Sequence, residues 1–395
     1  MKRLILLGAS EEGISAAHAC GYHVIVIERP KKSISEKVTA LAEAIYFADI
    51  WDTDAAHKVV EKIFSQYEDI KLILSFTELG LETAAYLSEL YNLKTNPFET
   101  VRQTRNKNLM RNAFASHDDL KLQTFCGKAD RLPEKISGLL PMIIKPNDGF
   151  GSQNVAYIKN QSDWEKWLRT HAQSKLEWIL EPFIEGPEFS VETVSSEGTH
   201  TVLGITEKET SGMPNFIETG HIVPALLETE QKQQIEKIVK KALTVLGVQY
   251  GPGHVEVKWD VVNKRPVVIE AHTRPGGDFI PFLHFLSSGL NQYELGILSF
   301  EGKHNLDMQP QHTKFSQVKF FMLEEGRLSA LELRSSVPEP VVEWKIAYQV
   351  GEHIPGSRDS FTRGGYIITS SDSKALVAKA IDDFYSRIVW KIDKI

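Results

Sequence analysis

The stretch from Gly253 to Asp278 constrains this chain most. Two runs of strand-forming residues, 254–261 and 266–271, flank the polar break Asn263-Lys264-Arg265, a pattern that predicts an antiparallel hairpin. Centred on Asn263, the hairpin sets Glu256 across from Glu270 and His254 across from His272. Strand alternation then gathers His254, Glu256, Glu270, His272 and Arg274 on one face, and Val255, Val257, Ile269 and Ala271 on the other. Carboxylates facing each other on adjacent strands repel and weaken a sheet, so such a pair calls for a positive partner, and a divalent cation supplies one. Two solvated glutamates on an open sheet face are the bland alternative. The next residues count against it. Arg274 offers fixed positive charge to phosphate or acyl oxygens, and Gly276-Gly277 lets backbone approach a ligand closely.

A chain of 395 residues is too long for one ordinary core and implies two or three domains. Hydrophobic content of 42% with 25% charged residues is that of a globular protein rather than a disordered or fibrous one. The net charge of -7, with only a short basic cluster over residues 102–111, argues against a nucleic-acid partner. The apolar run after Met1-Lys2-Arg3 ends at Gly8, too soon for a signal-peptide core, and nothing later could span a bilayer, so the chain reads as cytoplasmic with no membrane partner. Cys20 and Cys126 make no disulfide framework and have no metal-ligand spacing.

Residues 4–7 form a buried-strand run, residues 8–10 a turn, 13–20 a helix and 23–27 a second strand ending at Glu28. This unit invites comparison with dinucleotide-binding folds, but the glycine fingerprint is incomplete and Glu11-Glu12 at the helix start would repel a pyrophosphate. A Rossmann-like scaffold is the favoured reading. A helix over 54–65, a strand over 72–75 and a helix over 82–91 continue it until Asn96-Pro97 breaks the pattern.

Residues 97–115 read as helical and basic, with Lys107 inside them. The buried run Met142-Ile143-Ile144 ends at Lys145 and leads into the glycine loop 149–154, whose freed N–H groups can wrap phosphate oxygens while the lysine adds a point charge. No Gly-Lys-Ser/Thr closes the loop, so it is not a P-loop, and a plain hairpin turn is the alternative. A helix over 162–172 precedes a strand over 178–184 in which Pro182 removes a ladder donor, marking an edge or hinge. From Gly186 the residues alternate, with Glu188, Ser190 and Glu192 on one face and Phe189 and Val191 on the other.

In this order and spacing, Lys145, the loop 149–155, the segment Glu181-Pro182-Phe183-Ile184 leading to Glu188, and Glu256 with Glu270-Ala271-His272-Thr273-Arg274-Pro275-Gly276-Gly277 resemble the ATP-grasp superfamily from about residue 102 to 298. Within it, Ser75-Phe76-Thr77-Glu78, the run 218–224, the run 251–256 and the run 277–281 look most like the L-amino acid ligases that make dipeptides. The resemblance implies that Lys107 and Lys145 contact ATP phosphates and that Gly149, Gly151, Ser152 and Gln153 belong to the loop over them. Glu181, Phe183 and Ile184 would border the adenine through backbone groups, and Glu188 would bind ribose. Glu256 and Glu270 would hold Mg2+, with Mn2+ as the other candidate, and Arg274 would sit over the reacting group. His221, Glu192, Gly276 and Gly277 would line the amino acid side. His272 stands where the family usually has asparagine, and imidazole suits manganese or zinc better than magnesium, so its ligation stays open.

Beyond the motif, residues 279–290 are apolar, 292–300 read as a helix, and the polar stretch 303–313 marks a boundary. Strands are expected over 318–322, 341–348 and 366–369, with a closing amphipathic helix over 373–391. The expected fold is α/β of ATP-grasp architecture: a Rossmann-like N-terminal domain (1–97), a small grasp lobe with linker helices (98–185), a large lobe with the metal and substrate site (186–305) and a small α+β C-terminal domain (306–395). The implied activity is ATP-dependent joining of an amino acid carboxylate to the amine of a second amino acid, through an acyl phosphate. A carboxylating or purine-pathway enzyme and a nucleotide-sensing module share the ATP residues. Partners beyond ATP and amino acids are not implied, and a homodimer stays open.

Overall fold

The computed structural model describes residues 1–149, 151, 153–213, 215–302 and 310–394. Its N-terminal parallel sheet has the order β3-β2-β1-β4, from β1 (Arg3–Leu7), β2 (His23–Glu28), β3 (Ala42–Phe47) and β4 (Ile70–Leu74). Helices α1 (Glu11–Ala19), α2 (Glu36–Leu41), α3 (Thr53–Gln66) and α4 (Leu81–Leu90) cover it. Sheets buried on both faces need apolar residues at successive positions. Leu4, Leu6, Val24 and Val26 accordingly pack with α1, while Ile5, Leu7, Ile25 and Ile27 pack with α3 and α4. The turn after β1 is closed by Glu28, fully buried, which accepts the N–H of Ala9 at 2.8 Å and of Arg29 at 2.7 Å. Its carboxylate fills the amide-lined corner a pyrophosphate would need, in keeping with a scaffold.

The basic stretch 97–115 is two helices, α5 (Phe98–Arg105) and α6 (Lys107–Phe114), not one. Asn106 breaks it by capping α6: its side chain accepts the Leu109 N–H at 3.0 Å. The next sheet, of order β5-β8-β6-β7, comprises β5 (Phe125–Gly127), β6 (Met142–Pro146), β7 (Ala156–Ile158) and β8 (Trp178–Pro182). Trp164 and Trp167 of α7 (Gln161–His171) seal its core. Of the edge or hinge expected at Pro182, the edge is not found: β8 is internal, and Pro182 is its last residue.

An eight-stranded sheet dominates the molecule. It begins with β9 (Glu188–Ser196), β10 (Thr199–Thr210) and β11 (Glu218–Val223), continues after α8 (Thr229–Val245) with β12 (Gly251–Asp260) and β13 (Arg265–His272), and is followed by α9 (Ile280–Ser288) and α10 (Gln292–Phe300). Ile235, Val239 and Leu243 of α8 bury Val191, Val255 and Val257 on one face, leaving the opposite face polar. Glu256 pairs with Glu270 and His254 with His272, as the alternation requires. A register shift between Glu256 and Val257 makes Ile269 the extra residue of β13. Consequently Val268, not Ile269, enters the core, and Ile269 turns to the polar side.

After the expected boundary at 305/306, which lies outside the described residues, β14 (Phe315–Phe320), β15 (Glu325–Leu333), β16 (Val341–Ile346), β17 (His353–Pro355) and β18 (Gly365–Ser371) follow. The large sheet runs β13-β12-β9-β10-β11-β14-β18-β16, so three of these strands extend it. The expected closing helix is shorter: α11 (Lys374–Arg387) gives way to β19 (Ile388–Asp393), whose Ile, Val and Trp favour a strand, in the small sheet β17-β15-β19.

Candidate active site

Between the sheet β5-β8-β6-β7 and the polar face of the large sheet lies a cleft of about 980 Å³, part of it open to solvent. Lys107, Lys145, Gly149, Gly151, Gln153, Glu181, Phe183, Ile184 and Glu188 all line it, while Ser152 lies outside the described residues. Glu256 and Glu270 close the opposite wall.

At one end two lysines meet one carboxylate. Asn147 fastens the start of α6 to the end of β6, accepting the Asn108 N–H on its side chain at 2.8 Å and the Lys107 N–H on its carbonyl at 3.1 Å. Lys107 Nζ thereby reaches the Gly149 carbonyl at 2.7 Å, and both Lys107 and Lys145 stand 3.3 Å from Glu270 Oε1. Burial raises the Glu270 carboxyl, but the two ammonium groups hold it far below its usual value, so it is a carboxylate at neutral pH. At Gly151 the backbone has φ +68 and a Cβ would stand 2.6 Å from the Phe361 ring, so only glycine fits this turn of the loop.

The Glu181 carboxylate is shared by two cations. Arg111 Nε donates to it at 2.5 Å and Lys145 Nζ lies 3.3 Å away. Burial raises this carboxyl as well, yet Arg111 and Lys145 hold it down to about 2. The Glu181 side-chain oxygens are thus already engaged by two cations. Arg111, which the sequence reading passed over, also donates to the Val268 and Ile269 carbonyls at 2.8 and 3.0 Å, tying both sheets to α6.

Lys208 is the larger omission. Its ammonium lies 2.7 Å from Glu188, 2.8 Å from Glu218 and 2.8 Å from Glu256, and its side chain is 2% exposed. Burial lowers its pKa, but the three acids raise it well above the ordinary lysine value. A hairpin about Glu197-Gly198 alone would set Lys208 opposite Pro187; a register shift between Val202 and Gly204 moves it opposite Glu188. Among the described residues, two acidic groups have ligand atoms close enough to share a cation: Glu188, Glu218 and Glu256, with Lys208 among them, and Glu218, His221 and Asp278.

The other expected residues sit behind this surface. Glu192 is fully buried, with His254 Nδ1 at 2.6 Å, so its carboxylate is internal and not a substrate contact. Burial lowers the His254 pKa, but Glu192 and then Glu256 raise it to about 9. Gly276 is packed against that pair, and Gly277 has open space where a Cβ would be. His221 lies inside β11 and is fully buried, 3.4 Å from Glu218 and 3.8 Å from Asp278. Arg363 reaches in from the turn before β18 and grips Asp278 with two nitrogens, at 2.9 and 2.5 Å. His272 Nε2 is 3.4 Å from Glu270. Arg274 does not line the cleft; it is paired with Glu78 and donates to the Pro275 carbonyl at 2.8 Å.

The arrangement thus offers fixed cations and a glycine loop to phosphate oxygens, and a pair of ionised carboxylates facing them. Family models match two segments: an ATP-grasp N-terminal domain over residues 14–95 and an ATP-grasp domain over 139–281, together more than half of the chain. The alanine–anticapsin ligase of Bacillus subtilis (strain 168) is 26% identical over 303 residues, covering 68% of this chain and 63% of that protein. An uncharacterized protein of Sinorhizobium fredii is 25% identical over 82% of this chain and 69% of its own length. In fold, the L-amino acid ligase from Bacillus licheniformis superposes with a TM-score of 0.85 at 23% identity, covering 100% of this chain and 99% of that one. Phosphoribosylglycinamide synthetase from Anaerococcus prevotii follows with a TM-score of 0.76 at 19% identity, covering 99% and 100%. No helix among the described residues is long and apolar enough to cross a membrane. The chain belongs to the ATP-grasp superfamily of ATP-dependent ligases, and its similarities include that superfamily's carboxylate–amine ligases.

Proposed function

We propose that the protein is a carboxylate–amine ligase that joins two amino acids into a dipeptide with conversion of ATP to ADP and phosphate. The observation that carries this reading is the opposition, across one cleft, of Lys107 and Lys145 to the Glu256–Glu270 pair. Lys107, Lys145 and Lys208 hold the phosphates, and Phe183 and Ile184 border the base. The γ-phosphoryl group passes to one amino acid carboxylate, giving an acyl phosphate. The amine of the second amino acid attacks its carbonyl carbon, phosphate leaves, and the amine gives up a proton. The acyl phosphate is itself the activated species, so no protein nucleophile is required, and the residues act by position and charge. Glu256 and Glu270 are partly buried hard-oxygen donors kept ionised, a set that fits Mg2+ or Mn2+. A cation held there would neutralise charge on the transferred phosphoryl group.

The similarity to the alanine–anticapsin ligase supports amino acid substrates. Phosphate release over a matrix of amino acid pairs, with mass detection of products, tests the reading. New amide masses that require ATP support it. Phosphate release that needs bicarbonate instead of a second amino acid sinks it.

A further inference from the structure

Glu192 lies on the same face of β9 as Glu188 and Ser190, and the ladder pairs it with His254 of β12. The pair is sealed from solvent: Glu192 is 0% exposed and His254 5%. One carboxylate oxygen takes His254 Nδ1 at 2.6 Å, and the other accepts the Gly276 N–H at 3.2 Å. The far nitrogen of the same ring, Nε2, is directed at Glu256 Oε1, 3.5 Å away. A single buried carboxylate therefore fixes both the ring beside Glu256 and the backbone of the loop that carries Arg274. Gly276 is part of the device, because a Cβ there would stand 2.8 Å from His254 Nδ1 and 3.2 Å from Glu192 Oε1.

We propose that Glu192 and His254, packed against Gly276, are positioning residues that hold Glu256 ready for a divalent cation. Outer partners that orient a ligating carboxylate commonly set metal affinity as strongly as they set activity. Glu256 Oε1 also lies 2.8 Å from Lys208, whose pull competes with a cation, and the ring that Glu192 fixes is the second contact that sets its orientation. The inference rests on Glu256 and Glu270 being the metal ligands.

The test uses the full chain with ADP, and Mn2+ as the probe, read by electron paramagnetic resonance without any turnover. Glu192→Gln, His254→Gln and Gly276→Ala are each expected to weaken Mn2+ binding by roughly 10- to 100-fold, while ADP binding in chelator stays at the wild-type value. Should Glu192→Gln fail to fold, Gly276→Ala carries the test, since it changes no polar group. Wild-type Mn2+ affinity in these variants, with weakened binding in Glu256→Gln and Glu270→Gln, overturns the positioning role alone. Wild-type affinity in the last two as well overturns the metal site and the inference with it.

Discussion

Glu78 and Arg274, 196 residues apart in the chain, form an ion pair beside the cleft. Glu78 also takes Arg105 at 3.0 Å and lies 3.7 Å from His272 Nδ1. Burial raises its carboxyl, but Arg274, His272 and Arg105 hold it well below the usual carboxylate range. The N-terminal segment thus supplies the carboxylate that holds Arg274, as well as a scaffold.

If Glu78 aims Arg274, then Glu78→Gln lowers turnover by roughly 10- to 100-fold, the worth of one charge-assisted hydrogen bond of about 1.5–3 kcal/mol. The KM for ATP should move little, because neither residue lines the nucleotide cleft. Steady-state kinetics with ATP and amino acids varied separately decide it, and unchanged turnover frees Arg274 from Glu78.

Much of this site was legible in the sequence. The facing of Glu256 and Glu270 follows from strand alternation, and Lys145 from a buried run ending in a cation before glycines. Lys208 was passed over because Glu207-Lys208-Glu209 reads as a solvated charged strand. Only its neighbours on β9, β11 and β12 show it to be buried. Arg111 and the Glu78–Arg274 pair depend on contacts between distant segments that no local period encodes. The displacement of Ile269 depends on one bulge, and a slip of one residue changes which side chains face the core.

Lys145→Met should raise the KM for ATP and lower turnover together, since its charge acts on the phosphates in both bound and reacting states. The combined loss in kcat/KM is expected to be about 10- to 100-fold, matching one lost charge-assisted contact. Wild-type ATP kinetics would place Lys145 outside the phosphate site.

Glu270→Gln removes the charge that faces Lys107 and Lys145 and a hard ligand for the cation. Turnover should fall by more than about 100-fold, in line with several kcal/mol of lost charge stabilisation, while far-ultraviolet circular dichroism stays unchanged. Activity within a few-fold of wild type removes it from the metal site.

Arg111→Ala leaves Glu181 with one of its two cations, and breaking a buried pair in this way costs about 3–5 kcal/mol. Urea unfolding measures it, and a loss under about 1 kcal/mol contradicts the assignment. The pH dependence has a definite sign. Because Glu181 is held below its ordinary 4.5, down to about 2, its contribution is full above 4.5 and disappears as pH falls through that interval. The variant should therefore lose less of its stability on acidification between these values than the wild type does.

Transfer of the γ-phosphoryl group to an amino acid carboxylate is the central step of the proposed reaction, and isotope tracing tests it directly. With the electrophilic amino acid labelled with 18O in its carboxylate, the account predicts that each dipeptide formed is accompanied by phosphate carrying a single labelled oxygen. Dipeptide formed with unlabelled phosphate would contradict it.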